Sequence, residues 1–88
     1  MTIALVTGGS TGIGAAVCRL LAENGSKVAI CDINSEDGEV LATEIGGRFI
    51  HCDVSSLASV ESAFKTCCVE LGTPEYVHLN AGIMTVPT

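Results

Sequence analysis

Apolar residues along this chain follow two alternating rhythms. Short runs at 3–6, 27–31, 48–52 and 76–79 show no apolar–polar alternation, as expected for strands covered on both faces. Between them, apolar residues recur at helical spacing: Ile13, Val17, Leu20 and Leu21; then Leu41 and Ile45; then Leu57, Val60, Phe64, Cys67 or Cys68, and Leu71. The punctuation agrees. Asn24-Gly25 stops the first helix, and Asn34 or Ser35 caps the second. Glu36, Asp37 and Glu39 complement the dipole of the second helix, and Gly46-Gly47 end it. Ser55 or Ser56 opens the third, which Gly72-Thr73-Pro74 terminates.

Strands alternating with helices imply right-handed crossovers and a parallel sheet. The expected class is α/β: a doubly wound parallel sheet, partial, with four strands in the order 3-2-1-4 and three helices. The first two helices cover one face and the third covers the other. Residues 1–88 read as one incomplete domain that stops after the fourth strand, leaving that strand as an unprotected edge prone to pairing with other chains.

Composition narrows the partners. The formal net charge is -6, and Arg19, Lys27, Arg48 and Lys65 form no basic stripe, which argues against nucleic acid. No apolar run approaches the ~20 residues of a membrane span, and no signal peptide is visible, so the cytoplasm is the expected location. Five cysteines, Cys18, Cys31, Cys52, Cys67 and Cys68, lack both C-x-x-C and zinc-finger spacing, so no metal site is expected. They read as reduced, buried thiols acting as small hydrophobes.

The chemistry gathers at one sheet edge. Thr7-Gly8-Gly9-Ser10-Thr11-Gly12-Ile13-Gly14 joins the first strand to the first helix. A glycine turn feeding a helix N-terminus lets backbone approach an anion, and the unpaired N–H groups and helix dipole favour a phosphate. Ala15 and Ala16 stand where a Walker A loop needs Lys-Ser/Thr, which excludes that motif. Asp32 follows the second strand, eighteen residues beyond Gly14. Its carboxylate can accept both hydroxyls of an adenosine ribose and would repel a 2′-phosphate, so it predicts NAD over NADP. Thr11 and Ile33 are neutral, and no arginine or lysine is expected nearby to reverse that preference. Asp53-Val54 follows the third strand and Asn80-Ala81-Gly82 the fourth, both at the same edge. Each feature alone has a plainer meaning: Asp32 a strand-end cap, Asp53 an Asx turn or helix cap, Asn80-Ala81-Gly82 a turn. Their order along one edge favours a shared ligand. His51 and His78 lie within strands and read as packed side chains. Ser10 and Thr11 are hydroxyls beside a phosphate site, read as hydrogen-bonding to cofactor oxygens with no base to make either a nucleophile.

On these residues the chain resembles the short-chain dehydrogenase/reductase family along its whole length. Thr7 to Gly14 matches the family's T-G-x-x-x-G-x-G in full. Asp32 matches its acidic residue after strand two, Asp53-Val54 its adenine-side pair, and Asn80-Ala81-Gly82 its N-A-G triplet; Leu79 stands where members carry a further asparagine. The resemblance implies a Rossmann-type domain binding NAD through Gly8, Ser10, Thr11, Gly12, Ile13, Gly14, Asp32, Ile33, Asp53, Val54, Asn80, Ala81 and Gly82. It implies hydride transfer between nicotinamide and an alcohol or carbonyl substrate, and a homo-oligomeric full-length protein. The family's catalytic serine and Tyr-x-x-x-Lys have no counterpart in the 88 residues: Tyr76 is followed four places on by Asn80. No catalytic residue carries over, and the chain reads as the cofactor-binding half, inactive alone. The competing expectation is an NAD-binding fragment without catalysis, regulatory or non-functional.

Overall fold

A computed structural model of the chain describes residues 2–79. The elements run β1 (Ile3–Thr7), α1 (Gly12–Glu23), β2 (Lys27–Asp32), α2 (Ser35–Ile45), β3 (Arg48–His51), α3 (Leu57–Glu70) and β4 (Tyr76–Leu79). The sheet is parallel, in the order β3-β2-β1-β4. The register sets Thr7 opposite Cys31 and Asp32 opposite His51, so the carboxyl ends of β1, β2 and β3 lie side by side. Expected strand and helix identities all hold. β2 runs one residue further than expected, to Asp32, and β3 stops one earlier, at His51.

Two cores sandwich the sheet. On one face Val6, Val28 and Ile30 meet Ala15 and Cys18 of α1 and Leu41 and Ala42 of α2. On the other, Leu5, Ala29, Cys31 and Ile50 meet Cys52 and the α3 residues Ala63 and Cys67. Small side chains at the contacts let the helices sit close to the strands. This corrects part of the expected helical stripes. Ile13 is 74% exposed and Leu20 59%, while Gly14, Ala15 and Cys18 face inward. Leu57 is 73% exposed and Phe64 41%; Val60, Ala63 and Cys67 form the inner stripe of α3, which Leu71 continues at the C-cap. Hydrophobic spacing alone could not separate the two faces, because alanine, glycine and cysteine contribute little to the signal yet decide how near a helix can lie. Gly38 shows the same logic. A Cβ there would stand 2.1 Å from Phe49 Cδ1, so the bare glycine lets α2 close over the aromatic ring on β3.

The ambiguous caps resolve. Asn34 accepts from Asp37 N at 3.1 Å and Ser56 accepts from Ser59 N at 3.2 Å, which makes them the N-caps of α2 and α3. The five cysteines are free: four are buried and Cys68 half-buried. Burial pushes the Cys18 thiol up to about 11 and the Cys31 thiol up to about 12, so both stay protonated and unreactive near neutrality. Among the described residues no helix is long and apolar enough to cross a membrane, and no His, Cys, Asp and Glu cluster could hold a metal ion.

Candidate functional site

The glycine turn is fastened to the neighbouring strand. Gly8 N and Gly9 N both donate to Cys31 O, at 2.7 and 3.3 Å. Those two amides are therefore spent on the sheet, and the anion-binding capacity of the turn falls to the residues after them. Gly9 sits where nothing larger fits without displacement. A Cβ there would come within 3.1 Å of Cys18 Sγ and Ile30 Cγ2 and 3.2 Å of Val6 O. Gly12 has φ +59, and a Cβ there would meet nothing within 4 Å. One glycine thus seats the turn on the core, and the other opens it outward in a left-handed conformation that side chains disfavour. Thr11 is the N-cap of α1, but its side chain makes no cap bond, unlike the caps of α2 and α3. The first helical bond is Ala15 N to Thr11 O at 3.2 Å. The start of α1 therefore presents backbone N–H groups and the positive end of the helix dipole without a side-chain acceptor over them.

Asp32, the last residue of β2, lies beside this turn. Its Oδ2 accepts from Ser10 N at 3.1 Å and from Ser10 Oγ; its Oδ1 accepts from Ile33 N at 2.7 Å and Asn34 N at 3.3 Å. Burial alone would push this carboxyl up. The Ser10 hydroxyl and amide, with the Asn34 and Ile33 amides, outweigh burial and hold it below its ordinary value. Asp32 is consequently ionised at neutral pH and aimed into the turn. The sequence separates Ser10 from Asp32 by 22 positions, and its reading gave Ser10 to the cofactor rather than to Asp32. The signal that could have joined them is register. Ser10 lies three residues past Thr7, and Asp32 one past its partner Cys31.

Asp53 lies beyond β3, at the same edge, but is turned on itself. Its Oδ1 accepts from Ser55 N at 3.0 Å and Ser55 Oγ at 2.6 Å, an Asx turn leading to the Ser56 cap. Those bonds hold the exposed carboxyl below its ordinary value. Its amide N donates to Ser59 Oγ at 2.9 Å. Val54 is half-buried against the α3-side core. Ile33 is 64% exposed and flanks Asp32. Asn80, Ala81 and Gly82 lie outside the described residues. His78 stacks on Tyr76, with ring centroids 6.4 Å apart, as a strand side chain.

A groove of about 350 Å³ runs along the α1 and α2 side of the turn, from Ser10, Thr11 and Gly12 past Ala15 to Asp37, Val40 and Leu41. Arg19 and Glu44 close its far end, with Arg19 Nε 2.7 Å from Glu44 Oε2. Arg19 shares a groove with Ser10 and Thr11, but its guanidinium is committed to Glu44 in two hydrogen bonds. The approach came from packing α2 on α1, which residue spacing does not reveal.

The sequence matches the family described as short chain dehydrogenase over residues 2–88. It is 43% identical over 81 residues to the protein named short-chain dehydrogenase reductase ATA1 of Arabidopsis thaliana, covering 92% of this chain and 30% of that one. Among solved structures, a Brucella melitensis protein described as ribose-5-phosphate isomerase superposes with a TM-score of 0.89 at 32% identity, over 94% of this chain and 32% of that one. A 3-ketoacyl-(acyl-carrier-protein) reductase from Brucella melitensis, complexed with NADH, superposes with a TM-score of 0.83 at 28% identity, over 86% of this chain and 32% of that one. The two names differ in activity over one backbone, so the likeness fixes the scaffold and leaves the substrate open. The chain spans about a third of the length of the proteins it matches.

Proposed function

The chain belongs to the short-chain dehydrogenase family, and from that premise we propose that it supplies the NAD-binding half of an oxidoreductase acting on an alcohol or carbonyl compound. The observation that carries the reading is the ionised Asp32 carboxylate held against the glycine turn by Ser10. A carboxylate there accepts ribose hydroxyls and repels a 2′-phosphate, and the one nearby guanidinium, on Arg19, is neutralised by Glu44. The start of α1, with room above Gly12, suits a pyrophosphate. The NADH held by the reductase of the same fold supports a nicotinamide cofactor here.

In this reading, Gly8 and Gly9 fix the turn, and the backbone of Thr11, Gly12, Ile13 and Gly14 borders the pyrophosphate. Asp32 and Ile33 border the adenosine ribose, Asp53-Val54 the adenine, and Asn80-Ala81-Gly82 the nicotinamide side. The bound nicotinamide supplies the hydride acceptor or donor. The 88 residues hold binding and orientation chemistry. Their one tyrosine, Tyr76, is stacked on His78 and followed by no Tyr-x-x-x-Lys lysine. In this reading the acid–base step and the substrate pocket are assigned to none of the 88 residues, and the protein works as a cytoplasmic homo-oligomer.

Calorimetric titration of the natural full-length protein with NAD and NADP tests the reading, alongside turnover on a panel of alcohols and ketones. Tighter NAD binding with hydride transfer is the expected result. Binding without turnover would favour a regulatory, non-catalytic protein. Binding of neither nucleotide would refute both.

A further inference from the structure

The carboxylate of Asp32 is saturated. A carboxylate offers about four lone-pair positions, and four donors point at this one: Ser10 N and Ser10 Oγ on Oδ2, Ile33 N and Asn34 N on Oδ1. An incoming ribose diol would need at least one of those positions. Three of the four donors are main-chain amides. Ile33 and Asn34 lie in the short connection from β2 to the cap of α2, where Asn34 is itself the cap. The Ser10 amide follows Gly8 and Gly9, which are bonded to Cys31 O. Shifting any of these moves backbone that the sheet or a helix cap holds. The Ser10 hydroxyl alone can leave by rotation about one side-chain bond.

The structure assigns the Ser10 hydroxyl the role of a placeholder: it occupies the position on Asp32 Oδ2 that a ribose hydroxyl of the cofactor takes over. This rests on the reading of Asp32 as the ribose acceptor. Ser10 is then a positioning residue that sets how available Asp32 is. Ser10 is buried, 7% exposed, and its hydroxyl satisfies the carboxylate in the free protein. A ligand gains the site only by offering a donor at least as good. Ribose with both hydroxyls free does so; a 2′-phosphorylated ribose brings one donor fewer and a second negative charge.

The test uses the natural full-length protein and equilibrium titration with NAD and with NADP, with melting curves to confirm folding. Ser10→Ala removes the competing hydroxyl and keeps the Ser10 amide. NAD is expected to bind about three- to tenfold tighter, the scale of one hydrogen bond no longer displaced, and NADP to gain less. Ser10→Cys, a weaker donor, should move the same way by a smaller factor, and serves if the alanine variant misfolds. In an Asp32→Ala background the gain from Ser10→Ala should vanish, because the two effects are coupled. Weaker or unchanged NAD binding in Ser10→Ala overturns the placeholder role, since the hydroxyl then contacts cofactor directly or does nothing at this step. Failure of the underlying reading looks different: Asp32→Ala alone would leave the NAD/NADP ratio where it was.

Discussion

Asp32 and Asp53 end adjacent segments of the same sheet edge and look alike in sequence, yet they are built in opposite ways. Asp32 draws two of its donors from Ser10, an element away, and so ties the glycine turn to β2. Asp53 takes both of its donors from Ser55, two residues on, and closes a local turn. A carboxylate that links elements controls the relative placement of both. One bonded within its own turn controls only that turn. Proximity to a ligand edge is thus a weak guide to influence, and the origin of the donors is a stronger one.

The contrast can be broken most severely at Asp32 itself. Asp32→Ala should lower the preference for NAD over NADP by ~1–3 kcal/mol, the scale of lost hydrogen bonds to a charged group, read from the ratio of the two dissociation constants. The same variant should melt earlier, because Ser10 loses its acceptor. A smaller effect is expected from the turn's seat. Gly9→Ala should destabilise by about 1–2 kcal/mol through overpacking, since its Cβ meets Cys18, Ile30 and the Val6 carbonyl. Urea titration measures the loss, and a Cys18→Ala partner mutation should recover part of it.

Acid weakens the Asp32 linkage more gently than its removal. Asp32 lies below its ordinary value in the folded chain, so its donors stabilise the fold fully above the unfolded value of about 4. That contribution is lost as pH falls through the lower folded value. Wild type should therefore lose stability below pH 4 more steeply than Asp32→Asn, in denaturant titrations across that range. The smallest change belongs to Asp53→Ala. It should lower the melting temperature by no more than a few degrees and leave the NAD/NADP ratio unmoved. A large change in that ratio would erase the contrast between the two sites.

Much of the fold was legible because doubly covered strands must be apolar throughout, and the runs around Val6, Ile30 and Ile50 are. Glycine stops and polar caps then bounded the helices within a residue or two. The helix faces were less legible. Ile13, Leu20, Leu57 and Phe64 carry the hydrophobic signal but point outward, while Gly14, Ala15, Cys18, Ala63 and Cys67 make the contacts. Asp32 and the glycine turn were legible as neighbours from strand order. Their direct bond through Ser10 was not, because it depends on register and on a side-chain rotamer. Arg19 was missed for a related reason: its partner Glu44 lies 25 positions away on another helix.

The bonds from Gly8 and Gly9 to Cys31 O carry a consequence for motion. The first half of the turn is a continuation of the β1–β2 ladder, and its amides should exchange with deuterium as slowly as those of the strands. The second half, from Thr11 onward, begins a helix whose N-terminus has no side-chain cap and should exchange within the fast regime of loops. A boundary between slow and fast therefore runs through the middle of a single motif. Cofactor binding should be recorded there as the fast half slowing to match the half already locked to the sheet.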